Sequence, residues 1–285
     1  MYAVMGITGQ VGGAVARALL KAGQKVRAVV RDEAKGAVWR NQGCEVAVAD
    51  IGNPYALRDA LSGAQAVFAM LPPLFDPAPG YPEASAMIRS LRAALEVARP
   101  AKVVALSTIG AAAAQPNLLN QLGMLEHELR ELPMPAAFVR AAWFMENFAW
   151  DIATARSSGT LHSYLQPLDR AIPMIATADV GATAAALMQE DWQGKRIVEL
   201  EAREPVSPAF AAQTLGRVLG RDVRPQAVPR DSWQALFAAQ GMQHPLPRIQ
   251  MLDGFNQGWI AFDGQGEQRY GETTLETVLA GLAAA

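Results

Sequence analysis

From residue 2 the chain alternates short apolar runs with stretches whose apolar residues recur every three or four positions. "YAVMGI" (2–7) reads as a buried strand. The stretch after it places Val11, Ala14, Val15, Ala18, Leu19 and Ala22 on one helical face, with Arg17 and Lys21 opposite. Gly23 is the expected stop. "KVRAVVR" (25–31) predicts a second strand, 33–42 a short helix, and the alternating "CEVAVAD" (44–50) a third strand. Asn53 and Pro54 form a helix-start signal for 53–61. The apolar "AQAVFAML" (64–71) is a strand halted by Pro72-Pro73, and "PPLFDPAPGYP" (72–82) must be a loop. A helix over 83–99 carries Met87, Ile88, Leu91, Leu95 and Ala98 on one face and ends at Pro100. "KVVALST" (102–108) is a strand, 118–131 a helix and "AAFVRAA" (136–142) a sixth strand. Such alternation predicts a doubly wound parallel α/β sheet with helices on both faces. The near-continuous apolar strands agree with burial on both sides.

Beyond residue 145 the pattern loosens. Helix is expected at 145–156, strand-like pieces at 160–165 and 171–175, and helix at 177–190. A strand over 196–202 is expected to rejoin the sheet. Helices follow at 207–219, 231–240, 246–258 and 273–283. The expected division is a nucleotide-binding domain over 1–156 and a smaller, mostly helical lobe over 157–285.

Composition narrows the function. Half of the 285 residues are apolar, 18% are charged, and the net charge is −2. No basic cluster favours nucleic acid. A single cysteine, Cys44, and three scattered histidines argue against a disulfide framework and a metal site. No apolar run reaches the span of a bilayer. The first residues read as strand and not as a targeting segment, so a cytoplasmic, reducing compartment is expected.

Three glycines three apart, Gly6, Gly9 and Gly12, fall between the first strand and the first helix. The spacing alone is a weak signal, but this is the turn where a dinucleotide pyrophosphate belongs. Gly6 permits the sharp turn, Gly9 close approach to phosphate, and Gly12 close helix–sheet packing; the helix N-terminus supplies N–H groups. Arg31 ends the second strand, about twenty residues past the last motif glycine, where the acid of an NAD enzyme usually sits. A guanidinium there suits a 2′-phosphate, and Lys35 adds charge. NADP(H) is therefore favoured over NAD(H); the alternative is Asp32 on a plain ribose. Asp50 and Ile51, after the third strand, either contact the adenine edge or belong to the start of the next helix.

The tyrosine–lysine pair of many hydride-transfer enzymes of this sheet type is missing: no tyrosine has a lysine four positions on. What remains is Ser107 and Thr108 ending the fifth strand, as carbonyl ligands or as turn residues. His127 is either an acid or a solvated side chain. Asn147 either binds carboxamide or carbonyl or makes a polar contact within the lobe. Trp143, Phe144, Phe148 and Trp150 follow the sixth strand, and Phe75 and Tyr81 sit in the proline-rich loop. They suit a flat aromatic or quinone-like ligand, or else core between the lobes.

The ordered segments "GITGQVGGAVARALLKAGQKVRAVVRD", "GCEVAVADIGNPYALRDALSGAQAVFAMLPP", "KVVALSTIGA", "LRELPMPAAFVRAAWFMEN" and "IPMIATADVGATAAALM" resemble the NmrA-like family, an atypical branch of the short-chain dehydrogenase/reductases. The resemblance implies a Rossmann-like domain preferring NADP, with Gly6, Gly9 and Gly12 on the pyrophosphate and Arg31 on the 2′-phosphate. It also implies a small lobe closing over the nicotinamide end. Asn147 and Asp179 match residues of the family pattern; Leu122 stands where many members carry a lysine. The full cofactor set expected is Gly6, Thr8, Gly9, Gln10, Val11, Gly12, Arg31, Lys35, Asp50, Ile51, Leu71, Pro72, Ser107 and Asn147. The catalytic candidates are Thr108, His127 and Asn147, and the pocket candidates Phe75, Tyr81, Trp143 and Phe144. The expected function is NADPH-dependent reduction of a small quinone or carbonyl compound. The alternative is a non-catalytic NADP(H) redox sensor acting through a protein partner.

Overall fold

In the computed structural model, which describes residues 1–285, the apolar runs become neighbouring strands of one sheet. Its order is β12-β10-β6-β5-β4-β1-β2-β3, and every pairing is parallel. These strands are β1 (Tyr2–Val4), β2 (Val26–Val30), β3 (Glu45–Val48), β4 (Ala66–Ala69), β5 (Lys102–Thr108), β6 (Ala136–Ala141), β10 (Lys195–Ala202) and β12 (Glu267–Gly271). The short β7 (Trp143–Phe144) pairs with β9 (Met174–Ile175), and β8 (Thr160–Ser163) with β11 (Arg224–Ala227). The strand order reverses between β1 and β4, which opens a crevice at their carboxyl ends.

Period-two alternation divides the sheet's side chains between two cores. Val4, Phe68, Val104 and Val139 face one side, with α1 (Gln10–Lys21), α2 (Glu33–Asn41) and α7 (Thr177–Gln189). Ala3, Val67, Val103 and Phe138 face the other, with α3 (Pro54–Leu61), α4 (Pro82–Ala98) and α5 (Asn120–Arg130). A third core belongs to the lobe. It gathers α6 (Ile152–Ser158), α8 (Pro208–Leu219), α9 (Trp233–Ala239), α10 (Leu246–Gln257) and α11 (Leu275–Ala284) around Trp233 and Phe237.

Most expected helices and sheet strands appear within a few residues of the pattern. The helix expected over 145–156 is instead a 3-10 helix over Met145–Trp150 followed by α6, ended by Gly159 at φ +70°. The piece at 171–175 contracts to β9. Strands β11 and β12 have no counterpart in the hydrophobic pattern. β12, "EQRYG", is a sheet edge whose side chains are mostly solvated, so its backbone pairing to β10 leaves no periodicity to read.

Helices α1 and α7 touch almost backbone to backbone. A Cβ on Gly181 would fall 2.7 Å from the Ala14 carbonyl carbon and 2.8 Å from the Val15 nitrogen. Backbone cannot rotate aside as a side chain does, so overpacking must separate the helices. Gly181→Ala is expected to destabilise the fold by about 1–3 kcal/mol, checked by the denaturation midpoint; an unchanged midpoint refutes the tight approach.

Candidate functional site

The turn after β1 is built by three glycines, one required by its backbone conformation, one by close backbone packing and one less tightly confined. Gly6 has φ +62°, and a Cβ there would sit 3.0 Å from Met70 Cγ. A Cβ on Gly12 would lie 2.5 Å from the Gly6 carbonyl carbon and 2.8 Å from Met5 O. Gly9 donates its N–H to Gly6 O at 2.9 Å and occupies the N-cap of α1 at φ −94°. A Cβ there would approach only Gly6 O, at 3.3 Å. No side chain caps this helix, and its first turn holds no acid. The N–H groups of Gln10, Val11 and Gly12 have no acceptor within the protein. A bare, uncapped helix start facing the switch point fits a pyrophosphate.

At the end of β2 the two adjacent charges have different roles. Asp32 caps α2, accepting from Ala34 N at 2.9 Å. Arg31 and Lys35 are exposed and make no ion pair or side-chain hydrogen bond. Asp50 accepts from Gly52 N at 2.8 Å in a local turn, while Asn53 caps α3 through Tyr55 N and Ala56 N. Ile51 and Leu71 are buried and Pro72 is half-buried.

The other candidates separate. Ser107 is buried and donates to Glu126 Oε1 at 2.5 Å, so its proton is committed inside the protein and is not offered to a ligand carbonyl. Thr108, half-buried at the strand end, has no side-chain hydrogen bond. His127 is exposed on α5, whose inward position is taken by Glu126. Asn147 is exposed in the 3-10 helix after β7. Trp143 meets Phe255 edge-on at 5.0 Å and packs on the lobe core, and Phe144 packs on the sheet core. Tyr81 donates its hydroxyl to Asn117 O at 2.9 Å. Of the four pocket aromatics, only Phe75 is largely exposed, at 52%.

A buried polar cluster at the carboxyl end of the sheet was not among the expected sites. Ser107, Arg140 and Glu199 are register partners on β5, β6 and β10. Arg140 grips Glu126 with two bonds, Nε to Oε1 at 2.8 Å and Nη2 to Oε2 at 2.9 Å, and reaches Asp263 at 2.8 Å. Arg130 adds a bond to Glu126 at 3.0 Å. Burial tends to raise the Glu126 carboxyl, but the bonds from Arg140, Ser107 and Arg130 outweigh it and hold it below its ordinary value. Glu199 moves the other way, raised by burial and by the neighbouring Asp263. The signal was present as charged residues inside apolar strands, Arg140 in "AAFVRAA" and Glu199 in "RIVELEA". A second unanticipated group is Asp151, which has no side-chain hydrogen bond and is pushed up to about 6 by burial. No group of three or more His, Cys, Asp or Glu side chains is placed to hold a metal ion, and no helix is long and apolar enough to cross a membrane.

The glycine turn, the switch point and the parallel sheet together define a Rossmann-like fold. The NmrA-like family model matches residues 2–256, and the chain belongs to that family. It is 27% identical over 248 residues to the NAD(P)H azoreductase of Xenophilus azovorans, covering 86% of this chain and 83% of that protein. It is 25% identical over 249 residues to quinone oxidoreductase 2 of Escherichia coli K12, covering 86% and 84%. Among solved structures, the E. coli NADPH-dependent quinone oxidoreductase with bound NADPH superposes with a TM-score of 0.81 at 23% identity, over 99% of each chain. The Citrobacter sp. triphenylmethane reductase complexed with NADP(H) gives 0.78 at 21% identity, over 99% and 100%.

Removing charge from Glu126 leaves Arg140 half-paired in a buried site, the costly direction for an ion pair. Because the folded-state value lies below the unfolded one, the ionised form stabilises the fold above about pH 4.3, and that contribution disappears as the pH falls through the folded-state value. Glu126→Gln is therefore expected to cost about 3 kcal/mol near neutrality, with the deficit shrinking in acid. Urea melts across the pH range check both parts; a deficit independent of pH rejects the electrostatic account.

Proposed function

We propose that this protein binds NADP(H) and reduces a small, flat, conjugated acceptor of the quinone or carbonyl class. The observation that carries the reading is the uncapped start of α1. No side chain caps it, and three N–H groups face the switch point without acceptors. The preference for the phosphorylated cofactor rests on Arg31. Its guanidinium is unpaired at the ribose end of the crevice, while the neighbouring acid is engaged in capping α2. The names of the relatives, an azoreductase and a quinone oxidoreductase, support the same class of acceptor.

NADPH, when bound, supplies hydride. The chain's part is to hold and enclose. The α1 N-terminus binds the pyrophosphate, Arg31 and Lys35 neutralise the 2′-phosphate, and Leu71, Pro72 and Ile51 give the crevice apolar walls. Thr108 and Asn147, with hydroxyl and amide unengaged, would hydrogen-bond a carboxamide or an acceptor oxygen. No tyrosine–lysine pair is present to deliver a proton, and α5 uses its inward acid to hold Arg140. Quinones suit such a site. Their two-electron reduction yields an aromatic hydroquinone whose anion forms readily, so solvent water can supply the proton.

Incubation with NADPH and a panel of quinones is expected to oxidise the cofactor well above background. Tight NADP+ binding with no turnover across the panel overturns the reductase and leaves a binding protein. Arg31→Ala is expected to weaken NADPH binding by about 1.5–3 kcal/mol, the scale of a hydrogen bond to a charged group, with NADH nearly unaffected. Titration of both cofactors decides; equal loss for both overturns the 2′-phosphate role.

A further inference from the structure

The arginines of this chain follow a rule with one exception. Those that are not fully exposed pair with carboxylates: Arg27 with Glu45, Arg58 with Asp59, Arg92 with Glu128, Arg130 and Arg140 with Glu126, Arg196 and Arg269 with Glu190. Arg248, half-buried in the first turn of α10, has no carboxylate partner. Its guanidinium lies over the Phe237 ring, 4.6 Å from the centroid, and 5.9 Å from that of Trp150. Its side-chain hydrogen bonding is limited to a long contact with Met242 Sδ at 3.8 Å. A guanidinium has five N–H donors in a planar fork, so most of this one is unused. Burial pushes its pKa down, with the Tyr164 hydroxyl as the opposing influence. A desolvated cation without a counter-charge is costly, and stacking on a ring offsets only part of that.

The segment that carries Arg248 is fixed at the carboxyl end of the sheet. The Asp76 carboxylate accepts from Gln243 N at 2.7 Å and His244 N at 2.6 Å, and Leu118 N donates to Pro247 O at 2.9 Å. Asp76 belongs to the loop after β4, Leu118 to the connection after β5, and Trp150 to the 3-10 helix beyond β6. Segment 242–248 is thus tied to connections that leave the carboxyl ends of neighbouring strands, where ligands of such sheets bind. Trp150, 69% exposed, and Phe75, beside Asp76, leave flat apolar surface open in the same set of segments. A planar apolar surface next to an unmatched planar cation is complementary to an aromatic anion.

We propose that Arg248 binds an anionic substituent, a carboxylate or sulfonate, carried by a flat aromatic acceptor. The assignment deepens the reductase reading above and rests on it for the nature of the acceptor. The test measures binding without turnover. Calorimetric titration with 2-naphthoate, naphthalene-2-sulfonate and methyl 2-naphthoate, with and without saturating NADP+, is expected to show both anions bound at least tenfold more tightly than the ester. Arg248→Leu should abolish that preference while ester binding stays the same; Arg248→Lys, which keeps charge but not the fork, should retain part of it. If Arg248→Leu does not fold, Arg248→Gln serves the same comparison. Equal binding of ester and anions by the wild type, no binding of either anion, or an anion preference that survives loss of the guanidinium overturns the proposal. Quinone turnover, run in parallel, separates the two readings. Anion preference without turnover removes only the reductase, and turnover without anion preference removes only the role of Arg248.

Discussion

Close approach of backbone to backbone at Gly6 and Gly12 sets where the first turn of α1 points. With any larger residue at position 12, the helix would lift from the Gly6 carbonyl and its free N–H groups would move off the switch point. The same constraint recurs on the far side of the helix, where Gly181 lets α7 settle against Ala14 and Val15. Helix α1 is therefore held between β1 and α7 by contacts that tolerate no additional carbon. Gly9 is less confined: its one close neighbour, the Gly6 carbonyl oxygen, would have to give by a few tenths of an ångström to admit a Cβ. What strengthens the phosphate reading beyond the glycine spacing is the uncapped start of α1 that this turn sets in place.

On the opposite face of the sheet the electrostatics are set by one buried ion pair. In many enzymes with this sheet, the helix after the fifth strand brings a proton donor to the nicotinamide. Here α5 brings Glu126, and Arg140, Arg130 and Ser107 occupy it fully. A carboxylate held below its ordinary value by two guanidinium groups is a poor proton donor near neutrality. The buried cluster fastens α5 to the sheet and keeps Glu126 ionised.

Much of this was legible in the chain because it rests on local pattern. Val11, Val15 and Leu19 repeat at helical spacing, β4 to β6 are unbroken apolar runs, and the glycine turn lies at their first junction. Features set by distant partners were not. The sequence favours Arg31 over Asp32 at the ribose position but does not show Asp32 engaged elsewhere; the bond to Ala34 N does. Ser107 looks free until Glu126, nineteen positions on, is folded against it. The aromatic cluster at 143–144 looks like pocket wall, but Phe255, more than a hundred residues away, makes Trp143 part of the lobe's packing. β12 is held by backbone bonds at a solvated edge, which hydrophobic periodicity cannot register.

Arg248 is invisible to sequence reading for a further reason: what distinguishes it is a missing partner. An arginine among prolines and a histidine in "QHPLPRIQ" resembles any solvated cation. It becomes conspicuous only when every comparably enclosed arginine proves to be matched. The ties around it support the same logic. Asp76 is held below the ordinary carboxylate value chiefly by the Gln243 N–H, with burial opposing and the His244 N–H assisting. It therefore stays ionised and keeps its grip on the segment that carries Arg248 through mild acidification. The guanidinium is thus presented on an anchored strap instead of a free loop. An anchored backbone lowers the conformational cost of presenting the guanidinium to a ligand, which is the part of the binding cost that preorganisation removes.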